Sequence, residues 1–303
     1  MPVRFDRCQD ALRRDEVAIF LFHGVIPEQV HRVRNYTRKH LPQVDFESAL
    51  AGLRSRGQPL SIPEVADLMA GGGTLPEYGY AITFDDGFEN NLTVAAPLLR
   101  RYETPAMFYV CSSFVDENRM SWTDQIESAF EASSSVDLQI DGMRKTLSSD
   151  QDKIDALDRI RSHVKNNPDV EPYAFAAAVV AGAGGLPKDR DRWLDQKLNW
   201  QQVGELARDT LFEVGAHGQS HRILSFLPAH ELRREVSESI GKLRDATGRQ
   251  VRHFSYPEGL EHCYSPEVIA ELKAAGIVCS PTAVEGTNGP GTDPFRLRRT
   301  FVV

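Results

Sequence analysis

Short runs of β-branched and aromatic residues alternate along the chain with stretches whose apolar positions return at helical spacing, the pattern of a parallel sheet joined by crossover helices. Strands are predicted at residues 17–22, 80–84, 106–111, 211–214, 251–256, 277–280 and 297–303. Between them, Leu232, Val236, Ile240 and Leu243 recur at helical spacing after Pro228, and Gly248 supplies a stop. Ser265-Pro266 offers an N-cap followed by proline at the first helical position, opening a helix through Val268, Ile269 and Leu272 to Gly276. The fold class is α/β.

Residues 116–195 follow a different rhythm. A helix-like run at 122–130, a serine patch at 133–135, a charged helix near 151–164 and a small-residue stretch at 174–185 predict a mostly helical insertion. Long insertions at a functional face serve as covers or as lids, and this one is open to either reading. At 303 residues the chain suits a single α/β barrel carrying such an insertion, so residues 1–303 are read as one domain.

Composition narrows the function classes. Hydrophobic content of 41% with 26% charge describes a globular protein with a sizeable core. A net charge of −8 argues against a general affinity for nucleic acid or anionic lipid. A local basic cluster lies at Arg296, Arg298 and Arg299. The N-terminal stretch reaches charge before any apolar run, and no run approaches a membrane span, so the expected compartment is the cytoplasm. Cys8, Cys111, Cys263 and Cys279 show no CxxC spacing; Cys111 and Cys279 end apolar runs and read as core thiols.

The chemistry concentrates in two places. Thr83-Phe84-Asp85-Asp86-Gly87 closes an apolar run, and His217-Gly218-Gln219-Ser220-His221 follows another. Two histidines four residues apart point the same way on a turn of helix, and Asp86 would complete a three-ligand shell with a position left open for water. Mixed imidazole and carboxylate ligands suit Zn²⁺, with Co²⁺, Ni²⁺ or Mn²⁺ as substitutes. Asp85 would then be the general base. Either motif alone is more often a turn or a packing feature; their conjunction makes the metal reading the stronger one.

These residues also carry a resemblance. The stretch AITFDDGFENNLTVAAPLLRRYETPAMFYV at 81–110 resembles the first signature region of the polysaccharide deacetylases, the NodB-homology family also called carbohydrate esterase family 4. His217-x-x-x-His221 resembles its second motif, and Phe254-Ser255-Tyr256-Pro257-Glu258-Gly259 a variant of its third. The resemblance spans roughly residues 17–115 and 195–303. It implies a distorted, incomplete (β/α)7 barrel with the insertion over its mouth. It further implies a metal-dependent hydrolase that removes an N-acetyl group from an amino sugar. A backbone N–H after Pro257, that of Glu258, is implied as an oxyanion donor, although the family usually has tyrosine where Glu258 stands.

Two departures from the family pattern matter. No histidine follows His262, whereas many members carry the general acid near the C-terminus; the run 17–22 instead leads into His23, as in the circularly permuted branch, which makes His23 the expected acid. The arginine normally found just before the proline is missing, and Arg299 on the final strand is the substitute expected to orient the base. Tyr256, Phe88, Trp122 and Trp200 could offer flat faces to sugar rings, Tyr256 foremost. His31, His40, His163, His230, His253 and His262 receive no role.

With no export signal, the expected substrate is a nucleotide-linked or lipid-linked N-acetyl amino sugar of surface polysaccharide synthesis. Alternatives are a deformylase or other small-amide amidohydrolase on the same fold, or a catalytically silent carbohydrate-binding protein. The second is disfavoured because sugar binding alone needs no base beside a metal triad.

Overall fold

The computed structural model describes residues 3–28, 32–71, 73–140 and 143–303; His31 lies outside them. In chain order, β1 (Ala18–Phe22) and β2 (Gly24–Ile26) precede a loop that returns as β3 (His40–Pro42). Next come α1 (Gln43–Arg56), β4 (Gln58–Pro59), α2 (Ile62–Met69), β5 (Gly79–Phe84), α3 (Ala96–Arg101) and β6 (Ala106–Val110). The following stretch holds α4 (Ser112–Glu117), α5 (Trp122–Ala132), β7 (Val136–Ile140), β8 (Met143–Leu147), α6 (Asp150–Lys165), α7 (Pro172–Gly182) and α8 (Arg192–Asp195). Last are α9 (Trp200–Arg208), β9 (Phe212–Ala216), α10 (Ala229–Thr247), α11 (Pro266–Ala274) and β10 (Thr300–Phe301).

The central sheet runs β10-β1-β5-β6-β9 with every pair parallel, and β4 pairs with β5. Beyond β9 the ladder continues, among the described residues, as single parallel bridges, Ala216 to Phe254, His253 to Cys279 and Pro281 to Leu297. Leu297 leads into β10, so the bridges carry the ring round to its start. The predicted strands 251–256, 277–280 and 297–303 are thus reduced to bridges and a two-residue strand. Pro257 and Pro281 each remove a ladder donor where those runs would extend.

Alternation along the strands divides their side chains between two cores. Ile19, Ala81, Met107, Tyr109 and Leu297 pack together with Ile62, Val65 and Met69 of α2. Phe20, Phe22, Ile82, Phe84 and Phe108 belong to the larger core shared with α1, α9 and α10. Phe84 stacks between Phe22 and Phe108, ring centroids 5.5 and 5.1 Å away. Each buried phenylalanine stabilises the fold by roughly 1.5–3 kcal/mol relative to exposure.

Local signals explain most helix limits. Ser265 caps α11 by accepting from Val268 N–H, and Gly248 ends α10 at φ +66°, where a side chain would be strained. Ser61 with Glu64, Ser149 with Asp152 and Asn199 with Gln202 form capping boxes on α2, α6 and α9.

The insertion differs from the mostly helical expectation. The alternating run at β7 forms an antiparallel hairpin with β8, pairing Val136 with Leu147 and Leu138 with Lys145. That hairpin and α5, α6 and α7 enclose a separate core of Trp122, Ile126, Phe130, Leu157, Ile160 and Val179. Val33, from the loop between β2 and β3, completes this core with Tyr36 packed against it. The loop's backbone is gripped from α5: Glu131 accepts from Val33 and Arg34 N–H, and Glu127 accepts from Asn35 N–H. At the far end of α6, Lys165 ion-pairs with Glu258, and its carbonyl is hydrogen-bonded to the His262 ring.

All four cysteines are buried and unpaired. Burial pushes the Cys8, Cys111 and Cys263 thiols up to about 12, which makes them inert packing groups. Among the described residues no helix is long and apolar enough to cross a membrane.

Candidate active site

β5 ends at Phe84, and Asp85 continues the ladder by donating its N–H to Phe22 O at 3.0 Å. The chain then turns sharply: Asp86 and Gly87 both have φ +76°. A Cβ on Gly87 would meet Val110 at 3.1 Å, so the turn takes glycine there. Asp86 tolerates the left-handed region better than most residues, and such strain is characteristic of functional turns.

β9 delivers His217, whose Nδ1 lies 2.7 Å from Ser255 O. A carbonyl only accepts, so Nδ1 carries the proton and Nε2 keeps its lone pair. Residues 217–221 do not form the expected turn of helix. Gly218 and His221 sit at φ +78° and +58°, and the Glu235 carboxylate on α10 gathers the loop by accepting from Gln219 and Ser220 N–H at 2.8 and 2.9 Å. The bent loop still aims both imidazoles at one carboxylate. Nε2 of His217 and of His221 lie 3.5 and 3.2 Å from Asp86 Oδ1. His221 is stacked on Phe114, ring centroids 5.6 Å apart.

The structure brings the predicted Arg299 to Asp85. Its guanidinium forms a two-pronged pair, Nη1 to Oδ1 at 2.9 Å and Nη2 to Oδ2 at 2.8 Å. Arg299 is 1% exposed and is fixed by Thr83 Oγ1, Ser255 Oγ and Thr282 O. Ser255 also donates to Asp85 Oδ2 at 3.2 Å. Burial alone would raise the Asp85 carboxyl, but the Arg299 charge, then His217, outweigh it and hold the pKa below the ordinary value. Asp86 is held well below its ordinary value against burial by Lys39 and His221. Burial would lower His217, yet Asp85 and Asp86 raise it; the same field favours a cation between them.

His23 follows β1 and lines the same cavity of about 300 Å³ as Asp85, Asp86, His217 and His221. Its Nδ1 is buried with no hydrogen-bond partner among the described residues, and its ring sits edge-on to Phe301. Burial lowers its pKa to about 3, with Asp86 opposing and Lys39 adding to the effect. Trp122, Arg161 and Lys165 of the insertion wall the cavity, as does Glu258, which stands at φ +62°. Burial works against ionisation of Glu258, but Lys165 and His221 bring its pKa down to about 2.

Other expectations are corrected. Tyr256 offers no face to a sugar: it is fully buried, stacks on Tyr264 at 4.8 Å and donates its hydroxyl to Phe295 O. Pro257 is buried behind the Gly218 turn. Phe88 is buried beneath Lys39 and Lys197, and Trp200 donates to Asp116. Only Trp122 of the aromatic candidates lines the cavity. Sequence reasoning missed Lys39, whose Nζ lies 2.7 Å from Asp86 Oδ2, and Asp124 on α5, 3.7 Å from Lys39 Nζ. A lysine between Arg38 and His40 carries no motif that could have flagged it. Ser255, also missed, stands within the third motif itself, two residues before Pro257.

The donor set fits a divalent metal. Asp86, His217 and His221 offer ligand atoms all within 4.8 Å of one another, and beyond those two imidazoles the buried Asp86 Oδ1 has no hydrogen-bond partner among the described residues. Closely spaced carboxylate and imidazole donors with an oriented ring are what such a site needs.

Fold and site together define a parallel barrel with a carboxylate and two-histidine centre at its strand ends. A match to the polysaccharide deacetylase family covers residues 72–280, and the chain belongs to that family. Over 67 residues it is 39% identical to the poly-β-1,6-N-acetyl-D-glucosamine N-deacetylase of Escherichia coli K12, a stretch that is 22% of this chain and 10% of that protein. Among solved structures, the Streptococcus pyogenes deacetylase PplD in complex with acetate is similar with a TM-score of 0.62 at 14% identity, covering 96% of this chain and 93% of that one. IcaB from Ammonifex degensii is similar with a TM-score of 0.60 at 19% identity, covering 96% and 94%. At these identities the structural likeness speaks for the fold.

Proposed function

We propose that this protein is a metal-dependent hydrolase that removes the N-acetyl group from an amino sugar. The observation that carries the reading is the pairing of two adjacent buried carboxylates with different partners. Asp86 faces two imidazole nitrogens, and Asp85 is clamped by Arg299. A divalent metal, Zn²⁺ foremost and Co²⁺, Ni²⁺ or Mn²⁺ in its place, would be held by Asp86, His217 and His221 and would polarise the amide carbonyl.

The chain's own residues do the rest. Asp85, kept ionised by Arg299, takes a proton from the attacking water. The peptide N–H of Glu258 donates to the oxyanion that develops on the carbonyl oxygen. His23 protonates the departing nitrogen. Burial keeps His23 neutral at rest, so the proton it passes to the departing nitrogen is the one Asp85 took from the attacking water, and its transfer leaves Asp85 ionised again.

The named activity of the Escherichia coli relative supports an N-acetylglucosamine-type substrate. A cavity of about 300 Å³ lies at the small end of ligand sites and suits one sugar ring. A nucleotide-linked or lipid-linked amino sugar is the form we favour over mature peptidoglycan or chitin, and a neighbouring cavity that shares Trp122, Lys165, His221 and Glu258 could take what is linked to the ring. The test is metal analysis of the purified protein with acetate release from N-acetylglucosamine monomers, short oligomers and nucleotide-linked forms. Absence of bound metal, or unchanged acetate release in His217→Ala, would sink the reading.

A further inference from the structure

We propose that Lys39 is a positioning residue that fixes Asp86 as a single-oxygen metal ligand, and that Asp124 of the insertion holds Lys39 in place. This rests on the metal reading above. The two oxygens of Asp86 have unlike surroundings among the described residues: Oδ1 is buried and faces the two histidine Nε2 atoms at 3.2 and 3.5 Å, whereas Oδ2 is 2.7 Å from Lys39 Nζ.

A carboxylate free to rotate can chelate a metal through both oxygens. A short charge-assisted hydrogen bond to one oxygen removes that freedom. Lys39 is placed to form it and has little scope to leave. Its side chain is 15% exposed, its Nζ lies 5.0 Å from the Phe88 ring centroid, and Asp124 Oδ1 stands 3.7 Å from Nζ. The three groups come from separate segments, the loop before β3, the turn after β5 and helix α5. The lysine thus ties a carboxylate of the insertion to the carboxylate that meets the metal.

Outer partners of this kind typically carry 10–100-fold in metal affinity, and the experiment measures that factor directly. Apo protein is titrated with Zn²⁺ and with Co²⁺ against a chromophoric chelator, for wild type, Lys39→Met, Lys39→Arg and Asp124→Asn. Lys39→Met should weaken binding by about 10–100-fold, Lys39→Arg should retain most of the affinity, and Asp124→Asn should fall between. In the Co²⁺ form of Lys39→Met the visible absorption should weaken, because a second Asp86 oxygen raises the coordination number.

Equal affinity in Lys39→Met with an unchanged Co²⁺ spectrum overturns the proposal. So does tighter binding, which would make Lys39 a competitor for Asp86. If Lys39→Met does not fold, Asp124→Asn decides: an affinity equal to wild type overturns the proposal. Failure of the wild type to bind metal is a distinct result that overturns the underlying metal reading itself.

Discussion

Replacing Arg299 by methionine would leave Asp85 ionised, 4% exposed and without its guanidinium. Breaking a buried ion pair from one side costs about 3–5 kcal/mol, because the remaining charge is neither solvated nor matched. For 303 residues, unfolding entropy of about 2.1 cal/mol/K per residue converts this to a fall in Tm of roughly 5–8 °C. The cost depends on pH with a definite sign. In the native protein the Asp85 pKa is depressed, so its stabilisation is present above the ordinary aspartate value and lost as pH falls through the depressed one. In Arg299→Met burial acts unopposed by that charge and raises the pKa, so the variant is penalised most at neutral pH and recovers on acidification. The acid limb of kcat/KM should move up by about 1–3 units, since the base must be ionised to work. Adding Asp85→Asn removes the unmatched charge and should restore much of the stability, though not activity. Urea titrations at pH 5 and 7.5 and a pH–rate profile test all of this. A loss under about 1 kcal/mol that is equal at both pH values, with an unmoved acid limb, would refute the account of Arg299 as the partner of the base.

His23→Gln should lower kcat by about 10²–10⁴-fold while KM and metal content stay near wild type; unchanged turnover would return His23 to a packing role against Phe301. The Glu258–Lys165 pair should stabilise the protein above the ordinary glutamate range and lose that contribution as pH falls towards about 2. Lys165→Met should therefore unfold at higher pH in an acid titration followed by circular dichroism, and an unchanged midpoint would show the pair to be inert.

Features encoded in contiguous residues are legible in the sequence itself. The parallel strands β1, β5, β6 and β9, the Pro228 and Ser265 helix starts and the two motifs at residues 83–87 and 217–221 each announce themselves within a few positions. Arg299 could be inferred only because a known pattern had a gap to fill. What was not legible depended on distant segments meeting. Lys39 reaches Asp86 because the loop after β2 is folded under α5, and nothing in Arg38-Lys39-His40 encodes that route. The 217–221 loop has helical ligand spacing but not helical backbone, since Glu235, farther along the chain, satisfies its N–H groups. Only β7 of the hairpin alternates in sequence; β8 carries three polar residues in a row between Met143 and Leu147, and both lie among helical neighbours. Tyr256 stands beside Pro257 in the third motif, yet two residues past the Phe254 bridge its ring is turned inward against Phe254 and Tyr264.

The loop joining β2 to β3 gives Val33 to the insertion's core and, a few residues on, Lys39 to Asp86. The insertion is therefore no cassette. A graft of residues 116–195 from a relative would arrive without Val33 and without matching carboxylates for the loop's backbone. An engineer wishing to exchange this cover must exchange the stretch at 32–39 with it, two segments far apart in sequence that pack as one part.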